Sequence, residues 1–333
     1  MQNTYKKPWT TLQEQINLLI NRGMEITDQA QALEYLDRIG YYRLSGYWFA
    51  CRQRSGNLIL LEKGRKPKKI KTETIALDVF KPGARFKDVI DLYVFDKKLR
   101  LLAMDALERI EISLRVDIAH TLGENNTFAY LEPQAFHKNF SYQLDQKTGL
   151  TPLHAWLNKQ AMLINRSKEE FIRHHKEKYG LPLAIWVTCE IWDFGTLSTL
   201  YSGMHEQEQD KISNKYGISN GRVFASWLRS LNYLRNVCAH HCRLWNRNMI
   251  DQPKLPPSTE LPWVTLFENN NHARARCFLS LSMTLHLVKI INPNSSWPDR
   301  ITQHLKAFPN LSHLNLDLAS MGAPANWEDM WVQ

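Results

Sequence analysis

No stretch of this chain is long and apolar enough to cross a membrane. The most apolar run, CFLSLSMTLHLVKII (277–291), is shorter than the ~20 residues a spanning helix needs, and it carries His286 and Lys289. The opening MQNTYKKPWT lacks the apolar core of a signal peptide. Cysteine is scarce, with five residues and no framework spacing. That excludes a disulfide scaffold and points to reduced thiols in the cytosol. There is no GxGxxG and no GxxxxGK followed by Ser or Thr, so no nucleotide-binding glycine loop is present. Alternating strand runs, βαβ signals and internal repeats are also missing. A soluble, cytoplasmic, predominantly α-helical protein is expected.

What is present is apolar and basic. Apolar residues make up 44% of 333, enough to build a core, and the length suits roughly two domains of ~150 residues or one elongated domain. Aromatics reach 11%, with 11 Trp. Lys and Arg exceed Asp and Glu by 42 to 33, a formal charge of +9 that favours an anionic partner, nucleic acid or anionic membrane.

Apolar spacing places two short helices within 9–62, the first stopping at Gly23. EKGRKPKKIKTE (62–73) follows, with six Lys or Arg in twelve residues, and reads as an exposed basic loop. Leu92, Phe95, Leu99, Leu102, Ala106, Ile110, Leu114 and Ile118 recur at spacings of three and four, which predicts one helix over 86–122 ended by Gly123. Residues 123–150 are loop-like. Helices are expected over 153–179, 183–203, 221–244, 271–291 and 297–308, with a Pro-rich loop at 251–262 and a weakly patterned tail.

The densest polar cluster is LRNVCAHHCRLWN (234–246). Cys238 and Cys242 are four apart and share a helix face, but His240 and His241 point ~100° apart, and no second paired ligand cluster exists. No metal or other cofactor is therefore expected. Cys238 lies on the apolar stripe of Phe224, Leu228, Leu231 and Leu234, as a small core residue would. One reading is structural, with Arg and His capping the helix end and pairing with carboxylates. Against it, Arg235, Asn236, His240, His241, Arg243 and Asn246 crowd polar groups beside an apolar stripe, where unpaired ones are unfavourable. The other reading is chemical. A histidine can take or deliver the proton when an RNA 2′-hydroxyl attacks its adjacent phosphorus, and an arginine can neutralise the phosphoryl oxygens. Two such pairs, from a dimer or a second copy in the chain, would supply both acceptor and donor.

RNVCAH has the R-x4-H form of the HEPN-domain ribonucleases. Four segments, IGYYRLSGYW (39–48), FDKKLRLLAMDALERIEISLR (95–115), WDFGTLSTLY (192–201) and RNVCAHHCRLWN (235–246), stand in the order seen in the Abi_2 family of AbiD/AbiF-like abortive-infection proteins, which the chain resembles over roughly 5–290. The resemblance implies an all-α, HEPN-type helical bundle with additional N- and C-terminal helices. It divides the chain into an N-terminal helical region with the basic loop (1–80), a HEPN-like core (81–292) and a C-terminal short helix and tail (293–333). It also implies a ribonuclease-type toxin of phage defence, acting without a metal, associated with a structured noncoding RNA, and a homodimer. Carried over by position, Arg235 and His240 are the catalytic pair. Asn236 orients the histidine, His241, Arg243 and Asn246 neighbour the site, and Glu111 and Arg115 form a supporting ion pair. A second R-x4-H, Arg115 to His120, is either a second half-site or part of a packing helix.

Arg43, Arg65, Lys66, Lys68, Lys69 and Lys71 are candidate RNA contacts. Tyr41, Tyr42, Tyr47 and Trp48 either stack bases or pack the N-terminal helices. The alternative to a nuclease is a non-catalytic protein that holds a noncoding RNA.

Overall fold

The computed structural model describes residues 8–60 and 71–332, and it is predominantly α-helical. The chain separates into two compact units, 1–98 with 306–318, and 99–305 with 319–333.

In the first unit, helix Leu12–Asn21 opens on a capping box. Thr11 Oγ1 accepts from Glu14 N at 3.2 Å, and Glu14 Oε2 accepts from Thr11 N at 2.7 Å. Gly23, at φ 89°, turns the chain after it. The second expected helix is two. Gly40 adopts φ 91°, which only glycine takes without strain, and splits Gln29–Ile39 from Tyr41–Trp48. Two short antiparallel strand pairs, Arg52–Arg54 with Ala76–Phe80 and Leu58–Leu60 with Lys71–Glu73, were not expected. Strands of three to five residues are too short to show an alternation. The returning segment 306–318 is tied down by Lys81 Nζ donating to Leu314 O at 2.5 Å and by His313 Nε2 against Asp88 Oδ2 at 3.0 Å.

The long helix Phe86–Gly123 begins in the first unit and continues into the second, and it ends where the hydrophobic spacing predicts. Its buried positions in the second unit include Ala106, Ile110, Leu114, Ile118 and Leu122. The apolar run 277–291 forms helix Cys277–Ile291, buried on almost every side, which explains why it lacks a polar face. Among the described residues no helix is long and apolar enough to cross a membrane. The tail is better ordered than its pattern suggests, because Trp331 stacks on Phe278 at 5.1 Å and Trp327 meets both rings edge-on.

Several expected helices are broken by local chemistry. Residues 153–179 form Pro152–Arg166 and Glu170–Tyr179, separated at Ser167. Residues 183–203 form a short turn, Ile185–Thr188, and helix Phe194–Gly203. The break is an N-cap. Asp193 Oδ1 accepts from Thr196 N at 2.7 Å and Thr196 Oγ1 at 2.8 Å, so the helix restarts there. The stretch 123–150 contains short helical turns, among them Lys138–Ser141. Helix Glu206–Asn214, unassigned by periodicity, packs on the motif helix.

The motif helix runs Gly221–Ala239 and stops five residues earlier than expected. Asn220 caps its start by accepting from the backbone of Arg222 and Val223. Phe224, Trp227, Leu228, Leu231 and Leu234 are buried against helices Phe194–Gly203, Glu206–Asn214 and Cys277–Ile291. Its first residue allows a close approach. A Cβ on Gly221 would lie 2.4 Å from Gln209 Cβ and 2.7 Å from the Gln209 backbone carbonyl carbon. Gly221→Ala must therefore push two helices apart, and a loss of ~1–3 kcal/mol is expected in urea unfolding. An unchanged midpoint would show that this contact does not set the helix spacing.

Candidate functional site

The six polar residues of 234–246 divide between the last turn of the motif helix and the chain just beyond it. His240 is the C-cap, at φ −85° and ψ 10°, and His241 sits at φ 55° in the left-handed region. His241 N donates to Cys238 O at 3.0 Å and Cys242 N to Val237 O at 2.9 Å. That is the Schellman ending, with histidine where glycine usually stands. Histidine tolerates this conformation better than most residues, but it is strained relative to glycine. The helix therefore ends inside the motif, and the two histidines differ in backbone state as well as direction.

Arg235 is half-buried, and its Nη1 donates to Asn236 Oδ1 at 3.3 Å. The hydrogen bond Asn236 makes is thus to the arginine rather than to a histidine. At ~100° per residue, Asn236 lies between Arg235 and His240 on the helix, 40° from the histidine. The His240 side chain is exposed, with no hydrogen-bond partner among the described residues. Cys238 is buried, and Cys242 is half-buried with its Sγ 3.8 Å from His240 O. Arg243 and Asn246 are half-buried. Arg276 Nη1 donates to the Asn246 carbonyl, which fastens the chain after the motif to the start of helix Cys277–Ile291. Among the described residues no group of three or more His, Cys, Asp or Glu is placed to hold a metal ion.

Glu111 and Arg115 form an ion pair, with Arg115 Nη2 donating to Glu111 Oε1 at 3.1 Å. The same guanidinium donates to Trp192 O at 3.0 Å and to Glu190 Oε2 at 3.3 Å. Burial raises the Glu111 carboxyl above its ordinary range, and the charges of Arg115 and Arg235 oppose that rise. The charge of Arg235, on the motif helix, thus acts on the carboxylate that Arg115 pairs with. His120 goes elsewhere. It is exposed and lines a cavity with Trp186, Lys211 and Lys215, none of which bonds Arg115. The second R-x4-H is not assembled as an Arg–His site within one chain.

The segment WDFG supplies a neighbour that spacing alone did not single out. Burial disfavours the Asp193 carboxylate, but hydrogen bonds from Lys159 and Thr196 hold it below the usual range. Gly195 lies so close to Asn232, one turn before Asn236, that a Cβ there would be 3.2 Å from Asn232 Oδ1. Asn232 precedes Asn236 by four and could have been read from that spacing.

The candidate RNA contacts of the first unit are only partly described. Arg65, Lys66, Lys68 and Lys69 lie outside the described residues, and Lys71 begins strand Lys71–Glu73. Arg43 is exposed. Of the aromatic quartet, Tyr47 is buried with its hydroxyl donating to Asp96 Oδ2 at 2.7 Å, and Tyr41 packs edge-on to buried Trp48 at 4.8 Å. Tyr42 alone is open, 91% exposed.

A family model described as Abi-like protein, Abi_2, matches residues 34–246. No curated protein and no solved structure matches the chain.

The helix ending makes a sharp expectation. His241→Gly should be the more stable of two variants at this position, because glycine takes positive φ freely. His241→Val, β-branched at the same position, should lose ~1–2 kcal/mol. Thermal melts that moved equally and in the same direction would contradict the left-handed turn.

Proposed function

The chain belongs to the Abi-like protein family, a family of abortive-infection phage defence, and on that premise we propose that it is a HEPN-type endoribonuclease toxin whose active site is built on Arg235 and His240. The observation that carries this reading is the contrast between two arginines. Arg115 is consumed by three acceptors, whereas Arg235 makes a single long hydrogen bond to its neighbour and stands on the same helix end as an exposed, unpartnered histidine.

The chemistry follows from these groups. The ribose 2′-oxygen attacks the adjacent phosphorus as its proton is removed. The P–O5′ bond breaks, and the leaving 5′-oxygen takes a proton. The products are a 2′,3′-cyclic phosphate and a 5′-hydroxyl. His240 serves as proton acceptor or donor, and the Arg235 guanidinium meets the charge on the phosphoryl oxygens. Asn236 Oδ1 limits where that guanidinium can swing. One histidine cannot hold both proton roles at once. A homodimer that apposes two Arg235–His240 pairs completes the site, with the expected noncoding RNA as partner. Cleavage needs no metal in this scheme.

A second reading, RNA holding without cleavage, is favoured by that same count, since one chain offers one pair. A purified-protein assay on total RNA with EDTA present separates them. The parent should cut and leave cyclic-phosphate ends, and His240→Ala should lose at least ~100-fold in rate, the usual worth of a positioned acid or base. His240 is exposed, so the substitution leaves the core intact. Equal cutting by parent and H240A would remove the histidine from the mechanism. Binding without cutting by either would leave the holding role.

A further inference from the structure

The motif helix carries more polar surface than its R-x4-H end uses. Arg222, Arg229 and Asn236 are spaced by seven, so they differ by only ~20° per step and form one line along the helix, with His240 at its end. Arg222, Arg229 and His240 are exposed and Asn236 half-buried, while the opposite face is core. At ~1.5 Å rise per residue, Arg229 stands ~10 Å from Asn236 along the axis.

The Arg222–Arg229 half of this line forms one wall of a cavity of about 600 Å³. Lys138 faces it from the turn Lys138–Ser141, and Lys254 from the Pro-rich loop. Lys254 is placed there by two hydrogen bonds to the motif helix: its N donates to Ser226 Oγ at 2.8 Å, and its O accepts from Trp227 Nε1 at 2.9 Å. Four cations thus surround the cavity against one carboxylate, Glu206, which Arg222 Nη2 meets at 3.2 Å. Among the described residues Lys138, Arg229 and Lys254 have no carboxylate partner. Three uncompensated cations around one concavity repel each other, and an anion relieves that repulsion. Both ring nitrogens of His137 are engaged by backbone groups. Its Nε2 donates to Ser202 O at 3.0 Å, and its Nδ1 accepts from Phe140 N at 3.2 Å.

We infer that this cavity holds the phosphate backbone of the RNA strand that the R-x4-H end acts on, with Arg229 and Lys254 as its principal contacts. The inference rests on the RNA part of the proposed function and adds a second anchoring site. A strand laid along the line from His240 to Arg229 is gripped beyond its reacting phosphate, by backbone contacts that ignore base identity.

The test is fluorescence anisotropy of the full chain with a labelled single-stranded RNA of about twelve nucleotides, all in the H240A background so that nothing is cut. Arg229→Glu with Lys254→Glu should weaken binding at least tenfold. Arg229→Gln with Lys254→Gln should flatten the log–log salt dependence by about 1.4, two phosphate contacts at ~0.7 each for a single strand. The control is Lys168→Glu with Lys178→Glu, the same charge change on exposed residues that do not line the cavity. It should weaken binding less than threefold. Thermal melts confirm that each variant folds, as exposure predicts.

Unchanged affinity and slope in the cavity variants would overturn the inference, and so would equal weakening by the control. Cleavage by the parent against H240A is read separately. The nuclease can stand with the cavity refuted, and the cavity can stand on a protein that binds without cutting.

Discussion

The arrangement around the motif hangs from one guanidinium, that of Arg115. It bonds a carboxylate on its own helix, a carboxylate in the turn Cys189–Ile191 and the Trp192 carbonyl just after it. Half-buried ion pairs add little net stability when charge is merely matched, because desolvation offsets attraction. Their value is in position. Fixing Trp192 fixes Asp193, the residue that caps helix Phe194–Gly203 through Thr196. That cap sets Gly195 against Asn232 of the motif helix. A chain of short-range constraints thus runs from the long helix to the face that carries Asn236 and His240. The Glu111 charge also acts on Arg235, whose hydrogen bond goes to Asn236 Oδ1 instead.

The end of the motif helix imposes a second constraint. A helix continuing to residue 244 would bury or redirect its last polar groups according to its wheel. The observed helix stops at Ala239, and a left-handed histidine reverses the chain. His240 is therefore presented from a helix terminus rather than from a groove side. Leu244 and Trp245 then return to the core, buried completely. Placing a non-glycine residue at positive φ inside the candidate cluster is a local departure from the easiest backbone, and such departures concentrate at working sites.

Much of this was legible in the sequence. The long helix has enough repeats of its 3.6-residue period to fix both ends, and Cys238 declared itself a core residue by its place on the stripe. The helix breaks were less legible because each depends on a single local hydrogen bond that competes with propensity. Asp193 reads as a cap only once Thr196 three residues later is noticed, and His241 as a terminator only if histidine is allowed the place of glycine. The short strand pairs fall below the length at which alternation can be counted. The Glu111–Arg115 pair follows from i, i+4 spacing, but Arg115's links to Glu190 and Trp192 join positions more than seventy residues apart. No periodicity encodes such contacts. The basic cavity was hidden for the same reason, since Lys138, Arg229 and Lys254 are isolated in sequence and meet only in the fold.

The meeting of these cations in the fold changes what the charge of +9 means. A net charge draws an anion from a distance but does not place it, because exposed charges are screened beyond ~8–10 Å at ordinary ionic strength. Placement needs cations that are close together and not already paired. By that standard Arg115, Lys211 and Lys215 contribute little, as Glu111, Glu124 and Asp117 hold them. Arg235, Arg229 and Lys254 contribute most, and the motif helix carries two of them and anchors the third through its Ser226 and Trp227. One element, packed by Leu228, Leu231 and Leu234 on its other side, thereby sets the distance between His240, the proposed reacting group, and the proposed holding groups. In the proposed scheme a strand gripped at both places could not slide along its axis without losing one contact, and that would fix which phosphate lies beside His240.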